Sequence, residues 1–200
     1  MIQKLKFKKL LNEYKSYKFE LQMVREILKD GHLEFELFYR RWCADNEVDL
    51  DKLNKDNQSK VESIFIKQEK GIVKLESPPE KNTDKHKKVY REIARKIHPD
   101  KLKTSDPRFW EYTNSFKAVN EAMDKEKWGD LFEVVEKYDI WLTEYAEACD
   151  DIQQSITDTK QLIEAEKKSY SWALYECKDD ELCKEKVVRS FLLHLFGWKS

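Results

Sequence analysis

Seven residues near the start of the chain, Phe7, Leu10, Tyr14, Tyr17, Leu21, Val24 and Leu28, recur at spacings of 3, 4, 3, 4, 3 and 4. Such a row gathers apolar side chains on one side of an α-helix and contradicts the period of two that a strand requires. A longer row, Leu142, Tyr145, Cys149, Ile152, Ile156, Thr159, Ile163, Glu166 and Tyr170, keeps the same alternation. Only four Gly and four Pro interrupt the 200 residues, and 38% of them are charged, a composition suited to long helices with solvated faces. The rows therefore predict an all-α fold whose long heptad-patterned helices pair as a bundle or coiled coil. Packing within one chain is the ordinary outcome, and a homodimer through one of the rows is the alternative. Thr159 and Glu166 are polar at row positions, which can fix register at some cost in stability.

The breakers divide the chain. The first row predicts a helix that Asp30-Gly31 ends, followed by a second from Leu33 to Cys43. Asp45 to Gln58 reads as a polar connection, and Val61, Ile64, Phe65, Gln68, Ile72 and Leu75 suggest a further helix weakened by Gly71. Glu76-Ser77-Pro78-Pro79-Glu80-Lys81-Asn82-Thr83-Asp84 is a linker ending at a helix cap in Thr83 or Asp84. The expected organisation is an N-terminal helical arm over 1–75, a linker over 76–84, a central region over 85–138 and a C-terminal helical hairpin over 139–200. In the hairpin, the charged turn Lys178-Asp179-Asp180 precedes a last helix, Val187 to Phe196, closed by Gly197.

The net charge of −1 hides a strong segregation. Lys81 to Lys103 holds nine Lys/Arg against three Asp/Glu, whereas Glu121 to Asp151 holds three against eleven. The first 29 residues carry eight against three. A chain segregated like this can present oppositely charged surfaces while being near neutral overall. A nucleic-acid binder is the rival reading, resting on Lys4, Lys6, Lys8, Lys9 and Phe7; the absence of a reader motif and a pI near 6.5 argue against it. No stretch is apolar enough for a signal peptide or a membrane span, so a cytoplasmic protein without membrane contact is expected. Cys43, Cys149, Cys177 and Cys183 form no CxxC pair and fit no common zinc spacing, so reduced, partly buried thiols are expected, with no metal and no cofactor. Four scattered histidines and no glycine-rich phosphate loop give no reason to expect an enzyme.

The central region carries the sharpest pattern. Val89, Tyr90, Ile93, Ala94 and Ile97 make one apolar helical stripe, while Lys87, Arg91 and Arg95, with Lys88 beside them, make a basic row on another face. Pro99 disfavours helical geometry at His98, so the helix should stop there. After a polar loop, Asp106-Pro107 supplies a cap and a first helical residue. The next stripe is Phe109, Tyr112, Phe116, Val119 and Met123. Two matched stripes joined by a short loop predict an antiparallel hairpin with His98 and Asp100 exposed at its tip. Trp128, Leu131, Val134, Val135 and Tyr138 predict a short amphipathic helix beyond it.

These residues resemble a J-domain, the module of DnaJ-type co-chaperones. The resemblance rests on Lys87-Lys88-Val89-Tyr90-Arg91, Ala94, Lys96 and His98-Pro99-Asp100-Lys101, then Phe116-Lys117-Ala118-Val119-Asn120-Glu121-Ala122, with Met123 in the family's tyrosine position. It covers roughly residues 75–138. The family's first-helix motif, Tyr-x-x-Leu-Gly-Val, is missing; Ile72-Val73-Lys74-Leu75 stands at about its place. The resemblance implies a module that docks on a DnaK-type ATPase chaperone and stimulates its ATP hydrolysis, the helical arms selecting a client protein or complex. It assigns Lys87, Lys88, Arg91 and Arg95 to docking on an acidic surface, His98 and Asp100 to the polar contacts that favour hydrolysis and Pro99 to fixing the turn, with Lys101 among the partner-binding residues. No catalytic residue is implied. The remaining alternative is a structural coiled-coil adaptor whose J-like hairpin is inactive.

Overall fold

The computed structural model describes residues 2–58, 84–142 and 145–199, and every regular element among them is helical. Helix α1 spans Ile2–Asp45. Helix α2, Asp84–Ile97, is followed by a 3₁₀ turn over Pro99–Lys101, then by α3, Phe109–Asp124, and α4, Trp128–Lys137. Helices α5, Tyr145–Lys167, α6, Tyr170–Cys177, and α7, Glu181–Phe196, complete the order. Residues 50–58 are also helical, their first turn capped by Asp49, whose Oδ1 accepts from Lys52 N at 2.9 Å. The polar connection expected over 45–58 is therefore confined to a few residues. The helix expected from Val61 to Leu75 and most of the linker lie outside the described residues.

Asp30-Gly31 does not end the first helix, and the segment from Leu33 to Cys43 is its continuation. A glycine inside a helix costs roughly 1 kcal/mol relative to alanine, which packing on either side easily outweighs. Leu28 and Phe35 are buried on the two sides of it, and His32 Nδ1 lies 2.8 Å from Ser171 Oγ.

The chain divides into two compact units, the first of Met1–Leu21 with Ser77–Leu162 and the second of Gln22–Glu76 with Ile163–Ser200. In the first, Phe7, Leu10, Leu11 and Tyr14 of α1 share a core with Ile93 and Ile97 of α2 and Val119 and Ala122 of α3. Leu131, Phe132 and Val135 of α4 and Cys149, Ile152 and Ile156 of α5 complete it. Over this stretch α1 and α5 run parallel, since Phe7 meets Tyr145 edge-on at 5.4 Å and Lys160 lies over Tyr17 at 4.3 Å. The two heptad rows are thus buried within one chain here. Thr159, polar at a row position, sends its hydroxyl back to Ser155 O at 2.7 Å and leaves no buried donor unmet.

The start of α4 sits tightly on α1. A Cβ on Gly129 would lie 2.6 and 2.8 Å from two Tyr14 ring carbons and nearer still to Cζ, so only glycine admits this approach. Tyr14 Oη donates to Asp130 Oδ1 at 2.9 Å. Burial, then the Asp130 charge, pushes the phenol pKa far up, which keeps it a donor at any working pH.

The second unit is built on aromatic rings. Phe35, Tyr39, Tyr170 and Phe191 pack in edge-on, tilted and stacked pairs with centroids 4.9 to 5.9 Å apart, and Cys43, Val188 and Leu192 form a neighbouring buried group. Glu166, the other polar row residue, pairs with Arg25 at 3.0 Å. The second row does not lie on one helix. Ser169 breaks it by capping α6, accepting from Trp172 N at 3.2 Å.

Cysteine usage differs from expectation. Cys177 and Cys183 form a disulfide across the α6–α7 turn, their Cα atoms 5.5 Å apart. Asp180 caps α7 through Cys183 N at 3.0 Å and so sets Cys183 at bridging distance, a constraint invisible in a six-residue spacing. Cys43 and Cys149 are free and fully buried, and burial raises both thiol pKa values. Gly197, at φ 68°, closes α7 as anticipated. No described helix is long and apolar enough to cross a membrane.

Candidate functional site

Helix α2 separates its two stripes cleanly. Ile93 and Ile97 are fully buried, whereas Lys87, Lys88, Arg91 and Arg95 are all exposed. Arg95 leans on Glu92, one turn back, at 2.5 Å; the other three carry no ion pair among the described residues. Helix α3 packs on the apolar side. Tyr90 Oη donates to Asn120 Oδ1 at 3.1 Å, and the His98 ring meets Phe116 edge-on at 4.7 Å. Higher residue numbers on α2 thus face lower ones on α3, so the two helices run in opposite directions.

The chain leaves α2 in an ordered turn. His98 N still donates to Ala94 O at 3.1 Å, but its ψ of 126° is extended, the geometry that Pro99 imposes on its predecessor. Lys101 N returns to His98 O at 3.1 Å and Leu102 N to Pro99 O at 2.9 Å, closing the 3₁₀ turn. Asp100 N donates to His98 Nδ1 at 3.3 Å, so the neutral ring carries its proton on Nε2. The Asp100 carboxylate is 87% exposed, 3.6 Å from Nδ1 at its nearer oxygen. Lys101 Nζ donates to Arg95 O, meeting a carbonyl of the last helical turn.

Two details depart from the sequence reading. The His98 side chain is only 36% exposed, because Phe116 covers one edge of its ring, so it contributes to folding as well as to the tip. Asp106 does not cap α3, which begins at Phe109. Instead its carboxylate holds Arg108, with Oδ1 accepting from the backbone N at 2.9 Å and both oxygens bound by the guanidinium. These bonds hold the Asp106 carboxyl below the ordinary carboxylate range.

The structure adds a second cluster on α2. His86 is 3% exposed, stacked flat on Trp128 at 3.6 Å, with Nε2 3.0 Å from Asp151 Oδ2. Lys85 Nζ reaches the other oxygen of Asp151 at 2.9 Å. Burial pushes the Asp151 carboxyl up, but the hydrogen bonds from His86 and Lys85 outweigh it, and the net pKa lies below the usual value. This cluster borders an open cavity of about 370 Å³ between α2 and α5, floored by Phe132, Leu142 and Ala148 and edged by Lys88, Glu92, Glu147 and Trp141. Sequence reasoning missed it because His86 reads as one more polar residue in a basic run and Asp151 stands 65 positions away. The described residues contain no group of three or more metal-ligating side chains.

The chain matches no family model, and no curated protein or solved structure matches it significantly. The described residues form an all-helical protein presenting a basic helix that ends in a closed His-Pro-Asp turn.

Proposed function

We propose that this chain is a J-domain co-chaperone, in which α2 and α3 form the J-like hairpin, α4 follows as its short last helix, and the tip activates a DnaK-type ATPase chaperone. The observation that carries the reading is the turn at His98-Pro99-Asp100. It is held closed by Asp100 N on His98 Nδ1, it exposes the Asp100 carboxylate, and it continues a row of exposed cations. Lys87, Lys88, Arg91 and Arg95 steer α2 onto an acidic surface of the chaperone, an effect on encounter rate more than on contact energy. His98 Nε2–H and the Asp100 carboxylate then offer one donor and one acceptor from a turn that Pro99 and Lys101 hold rigid. Contacts that fit the hydrolysis-competent form of the chaperone better than its resting form shift its population, and no bond is made or broken by this chain. The remaining helices select the client protein or complex.

The test is steady-state ATP hydrolysis by a DnaK-type chaperone with and without the full chain. His98→Gln keeps a polar side chain of similar reach but loses the ring against Phe116, a cost of about 0.5–1.5 kcal/mol in stability. The variant stays folded and loses the stimulation, and Asp100→Asn does the same. Absence of stimulation by the wild-type chain across chaperones of this type would leave the inert adaptor as the better account. Full stimulation by folded His98→Gln would reduce the turn to a helix terminus.

A further inference from the structure

The cavity beside His86 belongs wholly to the first compact unit. Its floor is apolar, with Phe132, Leu142 and Ala148 all buried. Trp141 stands at its mouth, 70% exposed yet held in place, its ring edge-on to Tyr145 at 5.7 Å and beneath Lys4 Nζ at 5.5 Å. The walls are α2 and α5, which run in opposite directions here. Lys85 meets Asp151, while Lys96, farther along α2, reaches the carbonyl of Asp139 ahead of α5. Lys85 and Asp151 neutralise each other at one end, and Glu92 is engaged by Arg95. One turn in from that end stand Lys88 on α2 and Glu147 on α5, opposite charges on opposite walls. Neither makes an ion pair or a hydrogen bond among the described residues.

We propose that this cavity binds a free α-amino acid with a large apolar side chain. The side chain lies on Phe132, Leu142 and Ala148, the carboxylate meets Lys88, and the ammonium meets Glu147. Both charges of such a ligand sit on one carbon, so the two flexible side chains close on it from the two walls. A simple organic anion would use Lys88 and leave Glu147 facing a like charge, and a simple amine would do the converse. Charges taken out of water are tolerated only when paired, and a zwitterion pairs both. Asp151 does not compete for the ammonium, because its two oxygens are already met by His86 and Lys85. Size points the same way. A volume of about 370 Å³ lies near the lower end for small-molecule sites, roughly 300–1,000 Å³, and suits an amino acid better than a nucleotide. The site is separate from the chaperone reading, although it borrows Lys88 from the docking row: either can fail alone.

The experiment is isothermal titration calorimetry of the full chain at pH 7 with L-phenylalanine and with L-leucine. At least one of them binds as a single molecule per chain, with a dissociation constant between about 1 µM and 1 mM, the range open to so small a ligand. Glycine keeps both charges but lacks the side chain, and it binds at least roughly tenfold more weakly. N-acetylphenylalanine and phenylalaninamide, each missing one charge, weaken by a similar factor. Each loss has its matching residue. Glu147→Gln weakens phenylalanine roughly tenfold but leaves N-acetylphenylalanine unchanged, and Lys88→Gln stands in the same relation to phenylalaninamide. Ala148→Met fills the floor and abolishes binding, with circular dichroism showing the helices intact. No binding of either amino acid up to about 10 mM would overturn the proposal, including the case in which another segment of the chain already covers the cavity. Capped forms that bind as tightly as free phenylalanine would overturn it too, showing a peptide terminus as the occupant. So would full binding by folded Ala148→Met, or by both Glu147→Gln and Lys88→Gln, since the ligand would then sit elsewhere.

Discussion

Replacing Gly31 by alanine distinguishes two structures of α1 by the sign of one number. If Asp30-Gly31 stopped the helix, as its sequence suggests, Gly31 would hold a left-handed conformation, and a Cβ there costs about 1–2 kcal/mol. Within a continuous Ile2–Asp45 helix the opposite holds, because alanine is favoured over glycine by roughly 0.5–1 kcal/mol. The neighbourhood leaves room for the added methyl: its nearest atoms would be Ser171 Cβ at 3.9 Å and Ser171 O at 4.0 Å, ordinary contact distances. Nothing must move, so the helix-propensity gain survives intact. For a chain of this size a gain of that order raises the melting temperature by roughly 1–4 °C. Thermal melting followed by circular dichroism at 222 nm reads it directly. A melting temperature lowered by several degrees would show that the helix ends at Gly31 and that the arrangement of Leu28, His32 and Phe35 against the rest of the second unit is wrong.

Gly129→Ala should do the reverse, losing about 1–3 kcal/mol, because its Cβ would enter the ring of Tyr14, which is buried and tied to Asp130. In a Tyr14→Leu background the same change should cost markedly less, a non-additivity measurable by denaturant titration. Arg91→Glu with Arg95→Glu should leave the melting temperature within about a degree, since exposed charges on this face carry little stability. The pair should slow association with the chaperone most at low salt, where attraction reaches well beyond the ~8 Å screening length of physiological buffer. Asp151 has a depressed pKa, so its contribution is fully present above the ordinary carboxylate value near 4 and is lost as pH falls through its lower, folded value. Asp151→Asn should therefore cost about 1–3 kcal/mol at pH 7, and the gap to wild type should narrow as the pH falls below about 4 in parallel melts.

What could be read from the sequence was what is local. His98, Pro99 and Asp100 are consecutive, and the bond from Asp100 N to His98 Nδ1 closes within two residues, so the end of α2 was readable. The heptad rows likewise announced which faces of α1 and α5 are buried, since periodicity depends on neighbours three and four positions away. The partner of a face is a different kind of fact. Nothing in the spacing of Phe7 to Leu28 says that it meets Tyr145 and Ile152, or that His86 finds Asp151. The helix runs on through Gly31 for a related reason: a glycine costs a helix about as much as one good contact supplies, so whether it stops the helix depends on packing that the spacing does not contain.

The same distinction governs how α2 divides its work. A change at Ile93 or Ile97 removes a fully buried side chain from a core shared by five helices, and loses binding only because the fold is lost. A change at Lys87 or Arg91 touches no core residue and alters only the field that a partner meets. His98 belongs to both sets, since one edge of its ring packs on Phe116 while Nε2 has no hydrogen bond among the described residues. Its replacements must therefore be ranked rather than averaged. Glutamine loses the ring contact and keeps a polar reach, whereas phenylalanine would retain packing on Phe116 and lose every hydrogen bond. If the turn acts through its Nε2–H, stimulation falls in both variants while the melting temperature falls mainly in the first. Stimulation that followed the melting temperature instead, retained in His98→Phe and lost in His98→Gln, would make this residue a packing element of the hairpin and leave Asp100 alone to carry the contact.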